Sequence, residues 1–363
     1  MKQNRNGPEA VLTESRPTLD TVAKAAGVSR MTVSNAYNRP DQLSAATRER
    51  VLAVADALGY CGPDPAGASL RRGRVGSVGV VLTEQLAYAF TDPGLVSFLR
   101  GVATELGSAG QAMLVVPTEA SLGGDFVRSA IVDAFIMCSM DPDDPIVAAV
   151  ESRRLPIVTS GSPKLPKAPF VGVDGHKGAI LLAEHLRSLG HKRYAVVEVR
   201  ARDTRVPEYA SLPARPGIKK RVSGFVSTLT AAGVSESNIT VVTAEENNDH
   251  CAAEVVRPLL ELPANKRPTA IFGVTDVLAL GVINEARALG LEVPDDLSVV
   301  GYDDIGAAAD SRPALTTISQ SLYEQGREAA RLALALMDGT VAKARKFAPE
   351  LVVRASTAPP PRR

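Results

Sequence analysis

The chain has 363 residues, of which 45% are hydrophobic and 22% charged, and its formal net charge at pH 7 is +1. This length and apolar content are sufficient for two or three folded units with buried cores. No apolar run reaches the roughly 18 residues of a membrane span, which argues against an integral membrane protein. Residues 1–17 are polar and have no apolar core, so we expect a disordered leader and no secretory signal.

Positive charge is concentrated towards the N-terminus. The first 74 residues carry 11 Lys and Arg against 7 Asp and Glu, whereas the remainder carries 30 against 33. A basic head on a mildly acidic body favours a nucleic-acid contact confined to the N-terminal part. The cysteines Cys61, Cys138 and Cys251 show no metal-binding or redox spacing. We therefore expect reduced thiols in a cytoplasmic protein, with no metal site and no cofactor.

Three short helices are predicted after the leader. Thr18 is suited to N-cap the first helix, which ends before Gly27 because glycine favours a break. Ser29 is expected to cap a second helix over residues 30–37, and Ser44 a third that ends near residue 58. A helix, a glycine-containing turn and a second helix form the helix-turn-helix unit.

The outward side of the second helix carries polar residues and methionine but no acid. Arginine can fork onto guanine, asparagine can pair bidentately with adenine, and methionine can contact a thymine methyl group. These chemistries assign base contacts to Arg30, Met31 and Asn35. Residues assigned to phosphate contact, where hydroxyls and helix N-termini suit the anion, are Thr18, Ser29, Thr32, Ser34, Asn38, Ser44 and Thr47. A three-helix bundle with no nucleic-acid role has the same spacing and is the alternative.

Residues 18–60 resemble the headpiece of the lactose/galactose-repressor (LacI/GalR) family of bacterial transcription regulators. The residues that carry the resemblance are Thr18-Leu19, Val22-Ala23, Ala26-Gly27-Val28-Ser29, Thr32-Val33-Ser34, Asn38, Ser44, Thr47-Arg48, Val51 and Leu58-Gly59-Tyr60. The resemblance implies a regulator that binds double-stranded operator DNA as a homodimer and responds to a small-molecule effector.

Residues 61–74 are rich in glycine and proline and end in basic residues, as a linker does. The resemblance implies instead a hinge helix over about residues 65–71, and Pro65 suits a first helical position. So short a segment does not hold a helix alone in water, so we expect it to order when two copies pack together on DNA. By the same resemblance Leu70 enters the minor groove, with Pro65 and Ala66 in the same segment.

From residue 75 to residue 356 strands alternate with helices, which predicts parallel sheets covered by helices on both faces. Predicted strands cover residues 76–82, 111–116, 131–137 and 156–159 in a first series, and 170–173, 194–199, 239–242, 270–272 and 298–301 in a second. Predicted helices between them cover residues 93–107, 178–189, 222–232, 251–262 and 277–289. The expected fold is α/β: a helix-turn-helix headpiece plus a two-lobed, doubly wound regulatory domain. Ligands of such folds bind at the carboxyl ends of the strands, here between the lobes.

The same family resemblance extends through this region. It is carried by Asp92-Pro93, Phe98-Leu-Arg-Gly101, His185-Leu186, Leu189-Gly190-His191, Gly224-Phe225, Arg267-Pro-Thr-Ala270, Asp276, Leu280-Gly281, Val293-Pro-Asp-Asp-Leu-Ser298, Val300-Gly-Tyr-Asp-Asp304 and Leu315-Thr-Thr317. It implies a periplasmic-binding-protein-like domain that binds the effector and dimerises. The chain is expected to cross between the lobes near Gly161, Gln320 and Phe347. The tail, residues 357–363, lacks the leucine heptads of a tetramer, so we expect a dimer.

Eight residues are assigned to the effector site: Phe90, Leu95, Arg221, Phe225, Thr275, Asp276, Asp303 and Gln320. The resemblance implies that Arg221 donates to ligand hydroxyls or a carboxylate, a role that a guanidinium fork suits. An aspartate at a strand end, such as Asp303, can accept from two adjacent sugar hydroxyls. Each residue also has a structural alternative: the aspartates as caps, the arginine as a surface residue, and the apolar residues as core. The proline-rich segment at residues 200–217 is either a lid over the cleft or an exposed loop.

These features together predict a transcriptional repressor controlled by a sugar or sugar derivative. Whether the ligand induces or co-represses stays open, and a purine-type ligand is the alternative. A sugar-binding receptor of the periplasmic kind shares the two-lobed fold, but the headpiece and the missing signal peptide oppose it. An enzyme is the third class, but no nucleophile–base spacing, phosphate-binding glycine loop or metal cluster accompanies the aspartates.

Overall fold

The computed structural model describes residues 17–62, 73–82, 86–116, 118, 123–200 and 216–361. The chain forms two compact units that divide after residue 75. Three predicted features lie outside the described residues: the leader, the hinge residues Pro65, Ala66 and Leu70, and most of the segment at residues 200–217.

The N-terminal unit contains helices α1 (Leu19–Ala26), α2 (Arg30–Asn38) and α3 (Ala45–Ala57), with a 3-10 turn at Pro40–Gln42. Each helix begins after the N-cap that the sequence predicted, because the hydroxyls of Thr18, Ser29 and Ser44 accept hydrogen bonds from backbone N–H groups three residues on. Gly27 ends α1 in the left-handed region at φ 66°. The buried core of this unit consists of Val22, Ala23, Ala26, Val33, Ala36, Val51, Ala55 and Tyr60.

The first lobe of the second unit is built on a six-stranded parallel sheet. Its strands are β1 (Ser77–Leu82), β2 (Ala112–Val116), β3 (Ala134–Cys138), β4 (Ile157–Ser160), β5 (Phe170–Val173) and β11 (Arg345–Phe347), in the order β11-β5-β4-β3-β1-β2. One face of the sheet packs against α4 (Pro93–Ser108) and α12 (Leu322–Met337), and the other against α5 (Gly123–Ser129) and α6 (Pro145–Ser152). Alternate residues of β1, β2, β3 and β4 therefore enter two separate cores, as strands buried on both faces require.

Helices α4 and α12 approach each other through two glycines. A Cβ atom added to Gly101 would lie 2.0 Å from the carbonyl oxygen of Tyr323, and one added to Gly326 would lie 2.0 Å from that of Phe98. Both glycines are buried. Only a residue without a side chain fits at either position, because a backbone carbonyl on a packed helix cannot move away.

The second lobe contains a four-stranded parallel sheet in the order β7-β6-β8-β9. Its strands are β6 (Tyr194–Val199), β7 (Ile239–Ala244), β8 (Ala270–Gly273) and β9 (Ser298–Val300), and its helices are α7 (Gly175–Ser188), α8 (Pro216–Ala231), α9 (Asp249–Leu260), α10 (Asp276–Ala288) and α11 (Gly306–Asp310). An antiparallel pair, β10 (Thr317–Ser319) and β12 (Glu350–Val352), joins this lobe next to β9.

Two of the three predicted crossings are confirmed and one is wrong. After Gln320 the chain enters α12 of the first lobe, and after Phe347 it returns to β12 of the second. The prediction near Gly161 is wrong, because β5 pairs with β4 in the first lobe and the crossing follows Val173. Buried parallel strands all have similar, continuously apolar sequences, so the hydrophobicity of β5 does not indicate which sheet it joins.

The predicted tail begins inside the fold. The hydroxyl of the buried Ser356 donates to the carbonyl of Val299, and the backbone N–H of Ala358 donates to the Ser298 hydroxyl. The ring of buried His191 completes the contact: its Nε2 lies 3.0 Å from the Ala358 carbonyl, and its Nδ1 lies 3.0 Å from the Thr269 hydroxyl. The chain end is therefore held against β9.

No helix among the described residues is both long and apolar enough to cross a membrane. The same described residues contain no cluster of three His, Cys, Asp or Glu side chains arranged to hold a metal ion.

Candidate functional site

The exposed side of α2 presents the residues that the sequence assigned to base contact. Arg30 is exposed and the Met31 side chain is 70% exposed, whereas Val33 and Ala36 of the same helix are buried. Asn35 is half-buried, and its Nδ2 lies 3.4 Å from the Oε1 of Gln42 in the following turn. The outer face of α2 therefore presents two donor side chains, Arg30 and Asn35, and one exposed apolar side chain, Met31.

The residues assigned to phosphate contact lie mostly at the helix N-termini. The hydroxyls of Thr32 and Thr47 lie 2.9 and 2.8 Å from those of Ser29 and Ser44, respectively. These pairs stand beside backbone N–H groups at the start of α2 and α3, where the positive end of each helix attracts an anion. The remaining pair is at the other end of α2, where Asn38 Nδ2 donates to the Ser34 carbonyl over 3.1 Å.

One acid of this surface was missed by the sequence analysis. The Oδ1 of Asp20, in the first turn of α1, lies 3.0 Å from the Nε of Arg30. The prediction considered α2 alone, where no acid occurs, and spacing along one helix does not indicate what a neighbouring helix brings beside it.

A cavity of about 330 Å³ lies between the two lobes. Its walls are formed at the carboxyl ends of the parallel strands, as doubly wound sheets lead one to expect. The residues that line it on the first lobe include Leu82, Tyr88, Asp92, Leu95, Cys138, Ser139, Ser160 and Ser162. Those on the second lobe and the crossings include Arg200, Lys220, Arg221, Asn247, Thr275, Asp303, Gln320 and Gln325.

An ion pair between Arg221 and Asp303 lies in this cavity. The Nη1 of Arg221 is 3.2 Å from the Oδ1 of Asp303, and each side chain is only 13% exposed. The guanidinium also donates to the Val274 carbonyl over 2.6 Å and stacks on the Tyr302 ring, 4.0 Å from its centroid. Gln320 donates its Nε2–H to the same Asp303 oxygen. The guanidinium is thus fixed in place on three sides.

The backbone at Asp303 is strained, since its φ is 131°, a region that L residues rarely adopt. Such a conformation costs about 1–3 kcal/mol and persists where the surroundings impose it. Burial raises the pKa of the Asp303 carboxyl to about 7, and the Arg221 guanidinium opposes that rise. A strained, desolvated carboxylate paired with arginine is typical of a binding site rather than of a turn cap.

A hydrogen-bond network connects the two lobes at the cavity. Asp92, the N-cap of α4 in the first lobe, accepts through Oδ2 from the Tyr88 hydroxyl at 2.9 Å and from Asn247 Nδ2 at 2.9 Å. Asn247 belongs to the second lobe, and its Oδ1 accepts from the Thr275 hydroxyl at 2.6 Å. No role was predicted from the sequence for Asp92, Tyr88 or Asn247, because the hydrogen bond between Asp92 and Asn247 joins residues 155 positions apart.

Five of the eight predicted effector residues line the cavity, and they are Leu95, Arg221, Thr275, Asp303 and Gln320. The other three lie elsewhere. Phe90 is 64% exposed on a 3-10 turn, outside the cavity lining. Phe225 is fully buried, one helical turn beyond Arg221, and packs between the rings of Tyr194 and Phe272.

Asp276 is the third predicted effector residue that does not line the cavity. It follows the cavity residue Thr275, but its side chain is fully buried on another side of α10. Its Oδ2 accepts from the backbone N–H of Ile305 at 2.9 Å, and its Oδ1 accepts from the Thr317 hydroxyl. Asp276 therefore fixes the loop that carries Asp303 instead of lining the cavity.

Two family models match the chain. The model described as bacterial regulatory proteins, lacI family, matches residues 18–62, and the model described as periplasmic binding protein-like domain matches residues 183–357. The chain is 39% identical over 329 residues to an HTH-type transcriptional regulator of Mycobacterium tuberculosis, covering 88% of this chain and 90% of the relative. It is 37% identical over 335 residues to one of Mycolicibacterium smegmatis, covering 87% and 90%.

Two further similarities concern proteins with more specific names. The chain is 30% identical over 356 residues to the HTH-type transcriptional repressor CytR of Escherichia coli, covering 95% of this chain and 97% of the relative. A solved structure of the transcriptional regulator CelR in complex with cellobiose superimposes with a TM-score of 0.66 at 28% identity. That match covers 94% of this chain and all of the other.

Proposed function

Because the chain belongs to the lacI family of bacterial regulatory proteins, which are transcriptional regulators and not enzymes, we propose that it is a repressor controlled by a sugar-type effector. The proposed effector is a sugar or sugar derivative that binds in the cavity between the lobes. The proposed DNA partner is an operator that two copies of the chain bind together, in the cytoplasm.

The paired side chains of Arg221 and Asp303 carry this proposal. A carboxylate that accepts from two adjacent hydroxyls and a guanidinium that donates to a third oxygen match a polyhydroxylated ligand. Since the two charges neutralise each other, a neutral ligand leaves no buried charge without a partner. A cavity of about 330 Å³ accommodates a small ligand. The complex of the relative CelR with cellobiose supports the sugar class, and the name of CytR supports repression.

The proposed control acts through the two lobes. A ligand that prefers one arrangement of the lobes shifts the protein towards that arrangement, and we propose that the dimer's affinity for its operator changes as a result. The headpieces gain or lose the shared register that a two-fold operator requires. A complete switch needs about 10⁴-fold preference of the ligand for one arrangement.

A thermal-shift screen of monosaccharides, disaccharides, nucleosides and nucleobases tests the ligand class on the full chain. A sugar at 100 times its dissociation constant is expected to stabilise the protein by about 2.7 kcal/mol. Asp303→Asn and Arg221→Lys are expected to abolish that shift, because each removes one half of the ion pair. Asp125→Asn, at an exposed pair on α5, is the matched control and retains it. A shift with nucleobases alone, or one insensitive to Asp303→Asn, would contradict the proposal.

A further inference from the structure

The ion pair between Asp20 and Arg30 joins the two helices of the helix-turn-helix. Asp20 is the second residue of α1 and Arg30 is the first residue of α2. Their side chains are 63% and 68% exposed, and the contact is between Oδ1 and Nε at 3.0 Å. Within residues 17–62, Arg30 has no other ion pair or side-chain hydrogen bond. One carboxylate therefore restrains an otherwise free arginine on the proposed DNA-reading face.

The atom through which the arginine is held determines what remains available. A guanidinium has five N–H donors, one on Nε and four on the two Nη atoms. The closest contact of Asp20 is with Nε, and neither Nη group of Arg30 donates a hydrogen bond within residues 17–62, so both Nη groups remain available as a fork. Guanine offers N7 and O6 as two acceptors in the major groove, which is the geometry that an arginine fork matches. A side chain fixed before binding loses less conformational entropy when it makes this contact.

We propose that Asp20 is a positioning residue that determines the DNA sequence preference of this regulator by holding Arg30 with its Nη groups directed at a guanine. The inference rests on the proposed DNA-binding function and extends it to a residue on the first helix. The carboxylate has a second effect, since a negative charge beside the DNA repels phosphates of every sequence. Asp20 thus lowers affinity for all DNA and raises the discrimination between sequences.

A different role for Asp20 is compatible with its position. An acid in the first turn of a helix interacts favourably with the helix dipole, whatever lies opposite. That role affects the stability of α1 and leaves the base preference unchanged. A measurement of sequence preference therefore distinguishes the two roles, whereas a measurement of affinity for a single duplex does not.

The experiment uses the full-length protein and a duplex selected from a library with randomised half-sites. Dissociation constants are measured for the selected duplex and for each single-base substitution of it, with wild type, Asp20→Ala, Asp20→Asn, Arg30→Ala and the double variant Asp20→Ala with Arg30→Ala. Asp41→Ala is the matched control, because Asp41 is an exposed acid in the first turn of the neighbouring 3-10 helix.

Arg30→Ala is expected to abolish the preference for guanine at one half-site position. Asp20→Ala is expected to reduce that preference by about two- to fivefold, the size of an exposed ion pair, and to tighten binding to unrelated DNA. In the double variant the loss of Asp20 changes the preference no further. Asp41→Ala changes affinity for all duplexes by the same factor.

An equal change for all duplexes in both Asp20 variants, with guanine preference intact, overturns the proposal and leaves the helix-end role. Asp20→Asn keeps the size of the side chain, so it serves as the test if Asp20→Ala unfolds. If Arg30→Ala does alter the preference while neither Asp20 variant does, only the role of Asp20 fails. If Arg30→Ala itself leaves the preference unchanged, base reading by Arg30 fails and the role of Asp20 fails with it.

Discussion

Single side chains on α2 differ in what they can recognise. Asn35 presents an amide that can pair bidentately with adenine, whereas the Thr32 hydroxyl stands beside the Ser29 cap, where phosphates are expected. We predict that Asn35→Ala changes the preferred base at one half-site position, at a cost of about 1–3 kcal/mol for the preferred duplex. Thr32→Ala is expected to weaken all duplexes alike. A base-substitution scan that gives the same profile for both variants would show the assignment to be wrong.

His191 makes stability depend on pH. Burial lowers its pKa to about 4, whereas an unfolded histidine has a pKa near 6.5. Above pH 6.5 the ring is neutral in both states and its contribution is fully present. As the pH falls from 6.5 to 4, only the unfolded chain takes up the proton, so about 3 kcal/mol of stability is lost.

The test compares wild type with His191→Gln by urea denaturation between pH 7 and pH 4. Burial also raises the pKa values of Asp276 and Asp303. Because these carboxyls ionise at lower pH in the unfolded chain than in the folded one, they reduce the stability of the folded protein as the pH rises, which opposes the effect of His191 over the same interval. The prediction therefore concerns the difference between the two proteins, which should narrow by about 3 kcal/mol at the lower pH. His250→Gln, at a histidine whose side chain is 81% exposed, is the surface control, and a constant difference between wild type and His191→Gln would contradict the assignment.

At the scale of helices and strands, the closest packing lies between α4 and α12. Gly326→Ala places a methyl group 2.0 Å from the carbonyl oxygen of Phe98, so the two helices have to separate. We expect a loss of about 1–3 kcal/mol or more in the free energy of unfolding. Gly107→Ala is the matched control on α4, because a Cβ atom there has no neighbour within 4 Å. It should stabilise the protein by about 0.5–1 kcal/mol, and equal effects of the two variants in urea denaturation would refute the packing argument.

The elements that the sequence predicted well are those with local signals. Thr18, Ser29 and Ser44 begin their helices as expected, because a cap is a contact over three residues and its chemistry is visible in the sequence. Three features depend on contacts between distant parts of the chain: the lobe that β5 joins, the packing of α12, and the pairing of β10 with β12. These could not be inferred from periodicity.

The cavity residues show the same difference between what a local signal predicts and what depends on the folded structure. Arg221 was predicted from the family resemblance, and Asp303 was predicted because a carboxylate that follows a strand end suggests a binding group. Phe225 and Asp276 do not line the cavity, although Phe225 lies one helical turn beyond the cavity residue Arg221 and Asp276 directly follows the cavity residue Thr275. At such short range the direction of a side chain decides its role, and sequence spacing does not specify that direction.

At the scale of the whole second unit, the lobes are joined by three crossings and by the contact between Asp92 and Asn247. The crossings are covalent and remain in any arrangement of the lobes. The hydrogen bond from Asn247 Nδ2 to Asp92 Oδ2, at 2.9 Å, exists only when the lobes are this close. The Thr275 hydroxyl holds Asn247 from within its own lobe. This side chain therefore contributes to the equilibrium between closed and open lobes.

Asn247→Asp turns this attraction into a repulsion, because two carboxylates then face each other at hydrogen-bond distance. We predict that the variant opens the lobes, and that Asn247→Ala does so less, with a loss of about 1–3 kcal/mol for the hydrogen bond to a charged group. The rate of hydrogen exchange at residues 138–139 and 160–162, at the cavity wall of the first lobe, should increase from wild type to Asn247→Ala and again to Asn247→Asp.

The matched control is Asn284→Asp, which also sets a new carboxylate against an aspartate. Asn284 Nδ2 lies 3.3 Å from the Oδ2 of Asp249, and both residues belong to the second lobe. The same change of charge there repels within one lobe and leaves the distance between the lobes unaffected. The exchange rate at residues 138–139 and 160–162 should then match that of wild type. If Asn247→Asp and Asn284→Asp accelerate exchange equally, the effect reflects added charge alone, and the contact between Asp92 and Asn247 does not control the opening of the lobes.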